Sequence, residues 1–174
     1  LGLWNMGEDI FHKKINPIES KRIIKKALSM GINTFDSAYS YKDSDSILYS
    51  ALREAKAERE NWKIVEKVMP IPSLDKKVDI SRKRLKTDYL DILLLHWPTN
   101  NSELYSSLSK LEKLKNEDII KEYGVSNFPL SLLKKVSLDF DISYHERPLS
   151  LVWNKDYEEE RKLEIKTLSY GPLG

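Results

Sequence analysis

Cysteine is absent from all 174 residues. That excludes disulfides, thiolate metal sites and cysteine nucleophiles, and fits a reducing compartment, so a cytoplasmic location is expected. Glycine is scarce, at six residues, and none of them belongs to a phosphate-cradling loop or Walker pattern. No charge of one sign dominates: 29 basic and 27 acidic side chains are evenly mixed and leave a net +2. Such a balance carries no footprint of a nucleic-acid surface. No apolar run approaches the roughly 18 residues that span a bilayer, and no signal-peptide pattern opens the chain, so no membrane partner is expected. His12 and His145 lack companions at metal-ligand spacing, which argues against a metal site.

What is present is a strand-helix alternation. With 40% hydrophobic and 32% charged residues, the chain reads as one globular domain over residues 1–174. Leu1–Trp4 reads as a weak first strand. Asn16-Pro17-Ile18-Glu19 carries a helix start, with a capping side chain, a proline in the first turn and a carboxylate three residues after the cap. Gly31 stands where a left-handed residue ends that helix. Further helices are expected over 44–57, 73–87, 102–116, 129–137 and 156–163. Leu104, Leu108, Leu111 and Leu114 supply the apolar stripe of one of them. Ile92–Leu95 is uninterruptedly apolar, as in a parallel strand covered on both faces. The count is seven strands and six helices. A closed eight-stranded barrel takes about 250 residues. The sequence starts at Leu1 rather than Met and stops just past the seventh strand, so the expectation is an incomplete barrel, with the eighth strand outside this stretch.

Polar side chains end the short apolar runs. Asp36, Lys67, His96 and Ser126 follow one another at intervals of 31, 29 and 30 residues, about one strand-helix-strand unit each. In a parallel barrel the C-terminal strand ends share one face, where catalytic groups collect. Tyr41 lies five residues beyond the end of the second strand. A free phenol, with a pKa near 10, donates poorly at neutral pH, and a neighbouring ammonium favours its phenolate. Lys67 is placed to supply that charge, Asp36 to hold the lysine, and His96 to donate to the same carbonyl oxygen. This is a positioned acid with an electrostatic cradle for a developing alkoxide. Taken singly, each residue has a plainer reading: a turn former, a solvated charge, a core histidine, a surface phenol. Ser126-Asn127 before Phe128-Pro129 also reads as a helix cap. Only their joint order favours catalysis.

In Gly31–Ala38 with Tyr41, in Leu94-Leu95-His96-Trp97-Pro98, in Gly124–Phe128 and in Tyr170–Gly174, the chain resembles the aldo-keto reductases over nearly its whole length. The resemblance implies a (β/α)8 TIM barrel that binds NADPH, or NADH, and reduces a small-molecule carbonyl. It implies Tyr41 as general acid, Lys67 as its partner, Asp36 as the counter-ion and His96 as the carbonyl-orienting group. Ser126 and Asn127 would bond the nicotinamide carboxamide, Tyr170 would stack on the ring, and Leu173 would join the cofactor site. Trp4 and Trp97 would line the substrate pocket. Two positions depart from the family pattern: Lys42 replaces the glycine usual after the tyrosine, and Glu146 falls where a glutamine binds the carboxamide. A carboxylate accepts from that amide but cannot donate to it. Two other expectations remain open. One is a regulatory subunit resembling the β-subunits of voltage-gated potassium channels, and the other is an inactive truncated remnant.

Overall fold

The computed structural model of the chain describes residues 1–7, 15–70 and 73–173. Its contacts divide it into two compact units, Leu1–Val68 with Ser73–Ile92, and Met69–Pro72 with Leu93–Gly174.

In the first unit the chain runs α1 (Trp4–Gly7), α2 (Pro17–Ser29), β1 (Thr34–Asp36), α3 (Ser44–Glu54), β2 (Lys63–Val68) and α4 (Leu74–Leu85), with one-turn 3-10 helices at Tyr39–Tyr41 and Arg59–Asn61. The α2 start is as its sequence predicts: Asn16 Oδ1 accepts from the Glu19 amide at 2.9 Å, and Pro17 fills the first turn, where an amide would lack a partner. Gly31 follows the helix at φ +82°, a backbone region in which a Cβ is strained. β1 and β2 pair in parallel, with Phe35 opposite Ile64 and Asp36 opposite Val65.

The expected first strand at Leu1–Trp4 is not formed. Gly2 makes one isolated parallel bridge to Asp36, through Asp36 N to Leu1 O and Leu3 N to Asp36 O, both 2.9 Å. The chain then turns, with the Met6 amide bonding Leu3 O, and Trp4 begins α1 instead. Leu3 is buried and anchors this turn. Six strands, not seven, are therefore present among the described residues.

β3 (Leu90–Leu95) begins in the first unit and ends in the second, and its Ile92–Leu95 run is buried as expected. The second unit continues with α5 (Asn101–Asn116), β4 (Ile120–Ser126), α6 (Leu130–Val136), β5 (Tyr144–Pro148), α7 (Tyr157–Glu160) and β6 (Lys166–Tyr170). The four-leucine stripe of α5 is buried. β4, β5 and β6 pair in parallel, with Ser126 opposite Glu146 and Pro148 opposite Tyr170. At Gly124 a Cβ would fall 2.0 Å from Tyr144 O, so glycine is what allows β4 and β5 to approach. α6 starts with Pro129 as its cap residue and no side-chain cap bond, so Ser126-Asn127 does not cap it.

Beneath β5, Glu160 is fully buried among three partners: His145 Nδ1 at 2.9 Å, Arg147 Nη1 at 2.6 Å and Thr167 Oγ1 at 3.1 Å. Burial pushes its carboxyl up, but the hydrogen bonds and charges of His145 and Arg147 outweigh burial and leave the pKa below the ordinary glutamate value. Stability from this group is therefore present above the ordinary carboxylate range and lost as pH falls through the depressed value. In Glu160→Gln the urea midpoint should drop at neutral pH and lose that acid-side dependence. Asn16→Ala should cost about 1 kcal/mol in the same measurement, through the lost cap.

Candidate active site

Asp36 ends β1, and Lys67 lies one residue before the end of β2. The Lys67 side chain is 1% exposed, and its Nζ donates to Asp36 Oδ2 at 2.6 Å. A buried ammonium is expensive unless its charge is met, and this carboxylate meets it. The solvated-charge reading of Lys67 is thereby excluded.

Tyr41 is delivered by the 3-10 turn Tyr39–Tyr41, which closes with the Tyr41 amide on Ala38 O at 2.8 Å. Lys67 Nζ lies 5.5 Å from the centre of the Tyr41 ring, within cation–π range, and the Trp4 ring stacks on Tyr41 at 6.1 Å and 17°. The first unit thus brings Asp36, Lys67, Tyr41 and Trp4 together. Lys42 follows at φ +50°, a left-handed position that glycine occupies without strain.

One contributor is not legible from residue types. A Cβ on Gly7 would lie 1.6 Å from Tyr41 O, so the end of α1 packs directly against the backbone that carries the phenol. Only the scarcity of glycine hints that the position has a reason.

In the second unit Asn127 is the hub, at φ +63°. Its Nδ2 donates to His96 O and to Ser126 Oγ, both at 3.0 Å, while Tyr170 OH donates to its Oδ1 at 2.6 Å. Its backbone amide bonds Glu146 O at 2.9 Å. His96, Ser126, Asn127, Glu146 and Tyr170 are thereby tied to one point, and the rings of His96 and Trp97 stack at 6.3 Å. Beside them opens a cleft of about 360 Å³, lined among others by Trp97, Asn127, Arg147, Trp153 and Tyr170. Its size suits a small organic ligand. Glu146 is buried and Leu173 is 99% exposed, and neither lines this cleft.

The family model for the aldo/keto reductases matches residues 1–174, and the chain belongs to that family. Among curated relatives it is 32% identical over 122 residues to the methylglyoxal reductase DkgB of Escherichia coli O157:H7, covering 64% of this chain and 44% of that protein. It is 30% identical over 139 residues to DkgA of the same strain, covering 78% and 47%. The chain thus spans less than half the length of these relatives. Among solved structures it matches a thermostable aldo-keto reductase, Tm1743 in complex with epalrestat, with a TM-score of 0.89 and 26% identity over 99% of this chain and 67% of that one. An aldo/keto reductase from Klebsiella pneumoniae, solved with NADP and acetate, matches at a TM-score of 0.80 and 24% identity, over 99% and 63%.

Gly7→Ala should displace the Tyr41 backbone and loosen the Trp4–Tyr41 stack. The expected outcome is a loss of roughly 1–3 kcal/mol with altered tryptophan fluorescence, read in one thermal melt. An unchanged melt and spectrum would show that α1 yields freely.

Proposed function

We propose that this chain carries the site of an NAD(P)H-dependent oxidoreductase that reduces an aldehyde or ketone to an alcohol. The observation that carries the reading is the buried Lys67–Asp36 pair beneath the Tyr41 ring. Tyr41 donates its phenolic proton to the carbonyl oxygen as that oxygen gains charge. Lys67 stabilises the phenolate left behind, and each pKa unit by which it does so is worth about 1.4 kcal/mol. Asp36 fixes the ammonium under the ring. His96 is assigned the second donor to the carbonyl oxygen.

The residues around the second unit's cleft fit a nicotinamide. Tyr170 offers a half-exposed ring held by its hydroxyl, and Asn127 keeps one acceptor lone pair on Oδ1 beyond the Tyr170 bond. Asn127 and Tyr170, which line the cleft, would hold the cofactor there, with Ser126, Glu146 and Leu173 assigned to it as the family resemblance implies. When bound, the reduced nicotinamide supplies the hydride that reaches the carbonyl carbon. Trp4 and Trp97 are assigned to the walls around the substrate. Because the curated relatives are methylglyoxal reductases, small 2-oxoaldehydes are the first substrate class to test. Among the described residues no helix is long and apolar enough to cross a membrane.

Fluorescence titration with NADPH and NADH, followed by nicotinamide absorbance over a carbonyl panel, tests the assignment. Tyr41→Phe should lower turnover by about 100-fold or more while leaving cofactor affinity nearly unchanged. Turnover surviving in that variant would remove Tyr41 as the acid.

A further inference from the structure

On the face of β2 opposite Lys67 lies a second acidic set that the proposed chemistry leaves unused. Glu66 precedes Lys67, and strand alternation turns it toward the helices. Asp45 stands in the first turn of α3. Both residues are 0% exposed. Ser81 Oγ of α4 donates to Glu66 Oε1 at 3.1 Å, and Ser37 Oγ donates to Asp45 Oδ1 at 2.6 Å, with Ser44 Oγ 2.8 Å from Ser37 Oγ. The remaining oxygens, Glu66 Oε2 and Asp45 Oδ2, are buried with no protein donor. The two carboxyls are close enough for each to act on the other's protonation. Two carboxylates cannot both stay ionised at that separation, out of water, each with an acceptor oxygen left over. One proton placed between them satisfies both oxygens at once.

We propose that Asp45 and Glu66 share a single proton, and that this acid–carboxylate bond fastens the segment bearing Tyr41 to the strand bearing Lys67. Tyr41 and Asp45 are four residues apart, joined through Lys42, Asp43 and Ser44. Tying Asp45 to β2 therefore limits how far the phenol can drift from the ammonium. Asp45 and Glu66 act here as positioning residues.

The electrostatics point the same way. Burial pushes Glu66 well above the ordinary carboxylate range and the Asp45 charge adds to it, against Lys67 and the Ser81 bond. Asp36, from β1, pushes it further up. Burial also raises Asp45, opposed by Ser37 and by the charge of Arg84 on α4. Both carboxyls are pushed up by burial, so the proton belongs to the pair. When that proton leaves at higher pH, the two carboxylates repel and the tie opens.

The shared proton does not depend on the reductase reading; only its effect on turnover does. Urea midpoints of wild type and Glu66→Gln, followed from the carboxylate range to alkaline pH, test the first claim. In wild type the midpoint should fall as pH rises above the ordinary carboxylate range, because the native pair keeps a proton that the unfolded chain has already released. In Glu66→Gln an amide donates permanently to Asp45, and that component of the slope should vanish. Superimposable slopes would overturn the proposal. Should the variant fail to fold, carbon-13 NMR of the wild-type Glu66 carboxyl decides, and titration in the ordinary glutamate range overturns it equally.

The second arm follows carbonyl reduction against pH. Glu66→Gln should stay active and move the alkaline edge of kcat upward, whereas an unmoved edge would overturn the positioning role. If wild type reduces no carbonyl yet the two slopes differ as described, the pair stands and the reductase reading falls.

Discussion

Lys67 is the constraint on which the first unit's arrangement depends. Its ammonium sits 1% exposed at the end of a strand whose neighbours are Val65, Glu66 and Val68. Such a charge is tolerated only where an opposite charge reaches it. Asp36 does so at 2.6 Å, and the parallel register of β1 on β2, with Asp36 opposite Val65, is what carries the two side chains to that distance. The Tyr41 ring then closes over the ammonium, and the bulk of Trp4 covers the ring in turn.

The second unit solves a different problem with a neutral side chain. Asn127 adopts a left-handed backbone at the end of β4 and uses its amide to join His96 O, Ser126 Oγ and Tyr170 OH. Three strand ends, from β3, β4 and β6, are thereby held around one residue. The same geometry explains why Ser126-Asn127 does not cap α6: the amide that would turn toward the helix is spent on neighbouring strands. Belonging to the aldo/keto reductase family gives this hub a chemical context. The bonds around it are a property of the chain itself.

Local chemistry made most elements readable. The α2 start follows from Asn16, Pro17 and Glu19, the end of that helix from Gly31, and the core face of α5 from four leucines at helical spacing. The first strand was misread because Leu1–Trp4 is apolar enough for strand or helix. The bonds to Asp36 give only one parallel bridge, and the Met6 amide on Leu3 O turns the chain into α1 before a ladder can extend. Glu66 and Asp45 escaped notice for a related reason. A glutamate beside a lysine reads as one more surface pair until both faces of its strand are covered.

By itself the sequence determined the order of elements from α2 onward and the polar residue at the end of each apolar run, which depend on periodicity, caps and spacing and are local. Its motifs carried the family resemblance. Only the tertiary structure decided that Lys67 is buried rather than solvated, that Gly7 abuts Tyr41, that Asn127 gathers three strands, and that two carboxyls meet behind β2. All four are contacts between residues distant in the chain, and burial, which sets their energies, has no value until the chain is folded.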